Sequence, residues 1–466
     1  MIELEVGNVA NGGWCVARHE GRVVFVRHAL PGERVRARVT EETAWFLRAD
    51  AIEVLRPSPD RVTPPCPYAG PGRCGGCDWQ HASLEAQRAL KAEVIAEQLR
   101  RLAGIRREVT VEEVPGAPDG LGWRTRVRFA ARPDGVLGLR RHRSHEIEPV
   151  DACLIAHPEV EKIGVETRNW RGAASVEAIA SATGDRAVVV ALPKARRSGK
   201  DAEHAAGTRP TDAEGTRHTE EVRDSRDAGD IRDSRDSVGI PGEGPADGDV
   251  EVPDLDASAA ILVEEDHRTR AVRGRADVRE RAGGRTFHVT ANGFWQVHPG
   301  AAETLLRAVL RFAEPRPGDW ALDLYCGAGL FTAALAEAVG PEGAVLGVES
   351  DREAVRNARR NLRDLPHASV ERGRIEPALN AAGVERADIV VADPPRTGLG
   401  RSVVDRIADL RAARIVYVSC DPATMARDIA WFDARGYHLT DLRAFDAFPM
   451  TAHVECVALL QPGRSR

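Results

Sequence analysis

The segment WALDLYCGAGLFTAALAEAVG, residues 320 to 340, constrains the fold more than any other. Apolar residues 320 to 324 read as a buried strand. The turn Cys326-Gly327-Ala328-Gly329 follows, then a helix from Leu330 to Ala338 with Gly340 as its stop. A strand, a glycine turn and a helix bring backbone N–H groups close to a nucleotide-like ligand. The third glycine of a GxGxxG dinucleotide pattern is missing, which disfavours a dinucleotide. The next strand, AVLGVES, ends in Glu349, 26 residues after Asp323. A carboxylate there suits two ribose hydroxyls, which donate hydrogen bonds to it. Strand and helix patterns alternate from residue 291 to 466, predicting an α/β, Rossmann-like domain with a parallel, doubly wound sheet.

Further chemistry gathers at the same predicted edge. In ADIVVADPPRTGLG, Asp393-Pro394-Pro395-Arg396 sits at a strand's carboxyl end, and the prolines stiffen the loop. In RIVYVSCDPATMARD the apolar run Ile415 to Val418 opens into a loop at Cys420. FDAFPMTAHVECVALL then places His453 and Glu455 before another apolar strand. A glycine turn with an acidic strand end is the general layout of S-adenosylmethionine-binding methyltransferases, with other Rossmann-like uses still open. A cysteine beside a methyl donor is placed as a nucleophile. Pyrimidine C5 is a poor nucleophile, and no base at neutral pH deprotonates it directly. A thiolate added at C6 turns the ring into an enolate whose C5 attacks a sulfonium methyl. A carboxylate must then remove the C5 proton so that the thiol can leave. Cys420 and Glu455 could supply the pair. On position alone, a small buried hydrophobe is an equal reading of Cys420.

Ahead of that domain, residues 1 to 58 hold five short alternating segments with glycine turns, predicting an OB-like β-barrel. Residues 59 to 290 read as a mixed α+β central domain. Cys66, Cys74 and Cys77 lie in CPYAGPGRCGGCDWQH, with Cys153 as a fourth. Four thiolates suit zinc or a [4Fe–4S] cluster, and the residues alone leave both open. Between them, Arg124, Arg126 and Arg128 alternate with Thr125, Val127 and Phe129, a row that suits a phosphate backbone or an ordinary solvated face. Net charge is −6, but residues 201 to 256 alone carry −11 and lack any aromatic residue, leaving the rest at +5. Residues 195 to 256 therefore read as a disordered insertion. It lies between AVVVALP (187–193) and AAILVEE (259–265), which suggests neighbouring strands joined by an overgrown hairpin loop. No apolar run is long enough for a membrane span, and MIELEVGNVANGG does not read as a signal peptide. A soluble, cytoplasmic monomer is the expectation.

The motifs NGFWQVHP (292–299), LDLYCGAGLF (322–331), DPPRTG (393–398), VSCDPATMARD (418–428) and FPMTAHVE (448–455), in this order, strongly resemble the S-adenosylmethionine-dependent RNA uracil-C5 methyltransferases. Residues 1 to 58 look like the TRAM module often fused to them. The resemblance covers the chain apart from the insertion. It implies a class I methyltransferase domain, Cys420 as nucleophile and Glu455 as base. It implies Gln296, Tyr325, Glu349 and Asp393 as S-adenosylmethionine contacts, and Cys66, Cys74, Cys77 and Cys153 as [4Fe–4S] ligands, with zinc second. RNA is the implied partner, ribosomal RNA ahead of transfer RNA. RNA cytosine-C5 methylation is disfavoured because a Pro-Cys pair is absent, and a non-catalytic iron–sulfur RNA-binding protein is the reading from another class. Three departures stand out: Asp421 and Leu330 where relatives have Asn, and seven residues between Cys66 and Cys74 where five are common.

Overall fold

The computed structural model describes residues 1–193, 252–255, 258–265 and 268–463. Strands β1 (Ile2–Glu5), β2 (Cys15–His19), β3 (Arg22–Arg27), β4 (Arg34–Glu42) and β5 (Phe46–Arg56) form one sheet in the order β1-β4-β5-β3-β2. Alternation turns Leu4, Ala17, Val24, Val35 and Ala49 into its core. The sheet closes because the chain beyond β1 returns to β2. Gly7 N–H donates to Val16 O at 2.7 Å, and Val16 N–H to Asn8 O at 2.9 Å. A Cβ on residue 7 would stand 2.8 Å from the Val16 oxygen, so this closure needs glycine. The expected OB-like barrel is present.

Next come α1 (Leu84–Leu102), β6 (Val111–Glu113), β7 (Arg126–Ala131), β8 (Leu137–Arg140), β9 (Ile147–Pro149), the short α2 (Pro158–Glu161), β10 (Ser175–Ala180), β11 (Arg186–Ala191), β12 (Ala259–Glu265), β13 (Arg268–Arg273), β14 (Asp277–Ala282) and β15 (Arg285–Thr290). Seven of these strands make a sheet of order β13-β12-β11-β10-β7-β8-β9, while β14 and β15 pair separately.

Two expectations change here. β11 and β12 are neighbours but run parallel, with Arg186 opposite Ala259 and Ala191 opposite Glu264. A hairpin loop cannot join parallel strands. The chain must travel back along the strand, roughly 20 Å, before β12 begins. Of the insertion expected at 195 to 256, residues 252–255 are described, with Leu255 buried and Val252 packed beside it on the core of this sheet. The rest of it lies outside the described residues. Deleting 196–250 leaves 192–195 and 251–258, about twelve residues with an extended reach of roughly 40 Å. That deletion is expected to change the melting temperature by no more than about 2 °C. Carrying it on to residue 258 removes both the crossing and Leu255, and should cost about 5 °C or more. Calorimetry of the two deletions checks this; an equal fall in both would contradict it.

The arginine row also differs from expectation. Arg126 is buried and donates to Ala291 O at 3.0 Å and Gly293 O at 2.7 Å. Arg128 pairs at 2.6 Å with Glu177, its opposite residue on β10. Opposite charges across an antiparallel pair hold each other on that face. Arg126 is committed instead to the loop after β15.

Helices α3 (Ala301–Ala313), α4 (Leu330–Val339), α5 (Arg352–Asn361), α6 (Ile375–Ala381), α7 (Arg401–Asp409) and α8 (Pro422–Ala434) alternate with β16 (Trp320–Leu324), β17 (Ala344–Glu349), β18 (Ala368–Arg372), β19 (Ile389–Ala392) and β20 (Arg414–Ser419); β21 (Tyr437–Asp446) and β22 (Glu455–Pro462) end the chain. The sheet order is β18-β17-β16-β19-β20-β22-β21-β6. Both faces are covered, so the strands read as nearly continuous apolar runs. Leu305, Val309 and Phe312 of α3 pack on one face. Ile95 and Leu99 of α1, Ile407 of α7 and Ile429 of α8 pack on the other.

The expected all-parallel sheet is in fact mixed. β22 is antiparallel to both β20 and β21, and β6, from before residue 291, joins the far edge parallel to β21. Residues 447–454 are too few for a crossover, so β21 and β22 pair as a hairpin. Its reversed direction puts the first residue of β22, Glu455, at the carboxyl end of β20. Among the described residues no helix is long and apolar enough to cross a membrane.

Candidate active site

The glycine turn after β16 is shaped for a ligand. Gly327 and Gly329 stand at φ 53° and 89°, and nothing lies within 4 Å of where a Cβ on Gly327 would be. Tyr325 also adopts a left-handed φ of 65°. That costs a residue with a side chain about 1–3 kcal/mol and persists only where the surroundings fix it. Here the N–H groups of Tyr325 and Cys326 both donate to Val348 O, at 2.8 and 3.1 Å. Glu349, at the end of β17, bridges back to the turn: its Oε2 accepts from Gly327 N at 3.1 Å. Its Oε1 accepts from Ser350 N at 2.6 Å and Asp351 N at 2.8 Å.

Acidic groups converge on this turn. Asp323 is fully buried; one oxygen accepts from Thr332 Oγ1 at 2.5 Å and the other, Oδ1, has no partner among the described residues. Burial, then Glu349, pushes its carboxyl up to about 7. Asp393, at the end of β19, is likewise pushed up to about 7 by burial and then by Asp323. Carboxylates that repel one another in a low-dielectric turn are relieved by a ligand carrying positive charge. A sulfonium and an α-ammonium fit that description, so the residues present suit S-adenosylmethionine. Gln296 lies on the loop 291–300, which Arg126 and Thr125 pin; Thr125 N donates to Val297 O at 2.8 Å. Its amide is nearly buried and, among the described residues, takes part in no hydrogen bond. Among the described residues no hydrogen bond joins Gln296 to Tyr325, Glu349 or Asp393.

Cys420 and Glu455 are brought together by strand register. Ser419 of β20 stands opposite Cys456 of β22, so Cys420 follows and Glu455 precedes the same pair. Burial, then Glu455, pushes the Cys420 thiol up to about 12, while Arg396 opposes that shift. Glu455, 5% exposed, is held well above the usual carboxylate range by burial and then by Asp393, again opposed by Arg396. Arg396 is therefore the cation that acts on both groups. Sequence reasoning quoted it without giving it a role; the signal was a basic residue inside the rigid Pro-Pro loop at a strand's carboxyl end.

His453 is not part of the extended strand. Burial and Arg396, whose Nη2 is 3.5 Å from His453 Nε2, push it down to about 3, which leaves a weakly basic neutral imidazole. Asp421 caps α8, accepting from Thr424 N at 2.8 Å. An asparagine would make the same bond, so this departure leaves the cap intact. Leu330, the other departure, is buried in the core at the start of α4.

The four cysteines of the central stretch line one cavity with Tyr68 and Arg124. Gly76 N–H faces Cys74 Sγ at 3.4 Å. A Cβ on Gly75 would stand 2.6 Å from His142 N, so the backbone approach that folds this loop needs glycine. Burial pushes the thiols of Cys74, Cys77 and Cys153 up, Cys153 to about 11, and the sulfurs repel one another further. Among the described residues no three His, Cys, Asp or Glu side chains converge to metal-ligand distance as they stand. Four thiols around one cavity, disfavoured as separate thiolates, are still the donor set a positively charged metal core would neutralise. The residues fit such a group.

Residues 383–462 match a family model described as tRNA (Uracil-5-)-methyltransferase, and residues 1–52 a TRAM domain. Residues 301–375 also match one described as protein-L-isoaspartate(D-aspartate) O-methyltransferase. An RNA methyltransferase of Streptomyces coelicolor is 50% identical, covering 99% of this chain and 92% of its own. The 23S rRNA (uracil(1939)-C(5))-methyltransferase RlmD of Alkalilimnicola ehrlichii is 33% identical, covering 99% and 96%. Among solved structures, the Pyrococcus abyssi tRNA (uracil-54, C5)-methyltransferase bound to S-adenosyl-L-homocysteine superposes with a TM-score of 0.63 at 22% identity, covering 98% of this chain and all of that one.

Proposed function

The chain belongs to the S-adenosylmethionine-dependent RNA uracil-C5 methyltransferases with an N-terminal TRAM domain, and we propose that it makes 5-methyluridine in ribosomal RNA through a covalent adduct on Cys420. The observation that carries this mechanism is the register of β20 against β22, which sets Cys420 beside Glu455.

Cys420, as thiolate, forms a bond to C6 of the uracil, and the ring's electrons move to an enolate oxygen. S-adenosylmethionine supplies an electrophilic methyl group. C5 of the enolate would take that methyl as its bond to the donor sulfur breaks and S-adenosylhomocysteine leaves, and Glu455 then accepts the proton left on C5. The C6–sulfur bond breaks and the thiolate returns to Cys420. One methyl has entered, the donor has left as S-adenosylhomocysteine, one proton rests on Glu455, and the C5–C6 double bond is restored. Glu455 must be ionised to accept that proton, and Arg396 is the group that favours its ionised form against burial and Asp393. Arg396 stabilises the thiolate and the enolate that replaces it. Gln296, Tyr325, Glu349 and Asp393 hold the methyl donor, with the free Gln296 amide and the Glu349 carboxylate as hydrogen-bonding groups.

Ribosomal RNA is favoured by the full-length likeness to an enzyme named for 23S rRNA. Comparing nucleosides in RNA from a deletion strain and its parent tests it: 23S rRNA should lose 5-methyluridine at one position while transfer RNA keeps its own. Loss confined to transfer RNA would overturn it.

Cys66, Cys74, Cys77 and Cys153 hold, on this reading, a [4Fe–4S] cluster. Protein purified without air should be brown and contain iron and sulfide. Cys74→Ser or Cys77→Ser should bleach it and weaken RNA binding more than donor binding. Stoichiometric zinc without iron would contradict the assignment.

A further inference from the structure

The loop joining β21 to β22, residues 447–454, delivers Glu455 to the sheet edge, and residues far outside the methyltransferase strands grip it. Asp78 and Trp79, directly after Cys77, both donate their N–H to Met450 O at 3.0 Å. The Asp78 carboxylate accepts Ala452 N–H at 3.1 Å and pairs with Arg27 of the barrel at 3.4 Å. On α1, Gln87 is fully buried; its Oε1 accepts Met450 N–H at 2.7 Å. Its amide donates to Trp79 O at 3.2 Å and Ala82 O at 2.9 Å. One turn along, buried Lys91 pairs with Asp446 and donates to Phe448 O at 3.1 Å.

Met450 is where these bonds converge, and it stands at φ 67°. A left-handed methionine is strained by about 1–3 kcal/mol and is kept only where its surroundings over-determine it. Here both its N–H and its carbonyl are fixed by groups of the central stretch. From Met450 the path to the catalytic edge is short: His453 N donates to Thr451 Oγ1 at 3.2 Å, and Glu455 follows two residues later. Gln87 and Lys91 lie 363 and 355 residues before their partners, on a helix whose packing on α8 is already secured by Ile95 and Leu99. Core packing therefore does not call for two buried polar side chains aimed at this loop. The cost of burying them is met by the bonds they make to it.

We propose that Asp78 and Gln87 are positioning residues of the methylation reaction. They hold Met450 and Ala452 so that Glu455 meets C5 of the adduct on Cys420. The inference rests on the role given to Glu455 above and adds the residues that place it.

The test uses full-length Asp78→Ala, Asp78→Asn and Gln87→Ala, with Glu455→Gln as reference. It measures the active-site titre, melting temperature, kcat, KM for donor and RNA, and the fraction of enzyme covalently held on RNA. In both alanine variants kcat per active site is expected to fall on the order of 10- to 100-fold. Both KM values should stay within about twofold, and the covalently held fraction should rise because the proton-removal step is slowed. Asp78→Asn, which can still accept Ala452 N–H, should recover most of kcat. The proposal is overturned if kcat per active site stays within about twofold of the parent in the folded alanine variants, whatever happens to stability. If Gln87→Ala does not fold, Asp78→Ala, a change in a loop, decides alone. An absence of adduct in Glu455→Gln speaks against the base assignment, whereas the grip on the loop is read separately from kcat of Asp78→Ala.

Discussion

Cys420→Ala should reduce methyl transfer to RNA by about 10⁴-fold or more, with S-adenosylmethionine affinity within twofold of the parent. The asymmetry follows from what the sulfur touches. In the proposed mechanism the thiolate acts on C6 of the uracil and never on the donor. The proposed donor site at the glycine turn uses Tyr325 just after β16, Glu349 at the end of β17 and Asp393 just after β19, and does not use β20. Without a C6 bond the ring has no enolate, and C5 has too little electron density to displace a sulfonium. Cys420→Ser should be nearly as inactive, because a hydroxyl ionises much less readily than a thiol. The parent enzyme carries a related signature. Its thiol is pushed up to about 12, so the thiolate is the minor form at neutral pH and its share falls further as pH falls. The single-turnover rate should therefore climb with pH between about 7 and 9, by at most tenfold per unit. Labelled methyl transfer, with calorimetry for donor binding, reads both results. Turnover by Cys420→Ala would remove Cys420 from the mechanism.

Glu455→Gln should stop turnover to a similar degree, but at a different point. Thiolate addition and methyl transfer both precede the need for a base. The adduct, methylated at C5 and bonded at C6 to Cys420, then cannot eliminate. Enzyme should accumulate on RNA as a denaturant-resistant band carrying the labelled methyl, approaching one methyl per active site. The competing role is that Glu455 only orients the uracil by hydrogen bonding. Its loss would then slow addition itself, and no band would form. His453 does not replace it in this account: its imidazole is pushed down to about 3 and faces Arg396. A glutamine variant that binds RNA, fails to methylate it and forms no covalent band would contradict the base assignment.

What the sequence made legible was local. LDLYCGAGLF announces a strand, a turn and a helix because apolar run, glycines and helix formers act within a few residues of one another, and the structure has β16 and α4 where they were read. Cys420 could be placed at a sheet edge because an apolar run stops at Ser419. What the sequence hid was pairing at a distance. The antiparallel course of β22, which brings Glu455 to Cys420, depends on which strand it joins and not on its composition. β6 is three residues long and too short to announce itself. The parallel pairing of β11 with β12 is invisible across an intervening segment that carries no pattern. The row Arg124, Arg126 and Arg128 looked solvated because charge predicts exposure; the partners that bury Arg126 lie about 165 residues later. Arg396 stood in plain view in DPPRTG, but its role appears only once Cys420, Glu455 and His453 surround it.

Unaltered enzyme and RNA in which uridine is replaced by 5-fluorouridine put covalent catalysis by Cys420 to the test. Addition at C6 and methylation at C5 should both proceed. The fluorine then occupies the place of the proton that Glu455 would accept, and no base can remove it as a cation, so the adduct cannot break down. After incubation with S-adenosylmethionine, digestion and mass spectrometry should find methylated fluorouridine bonded to the peptide that contains Cys420. No covalent adduct, or an adduct on any other residue, would contradict the account.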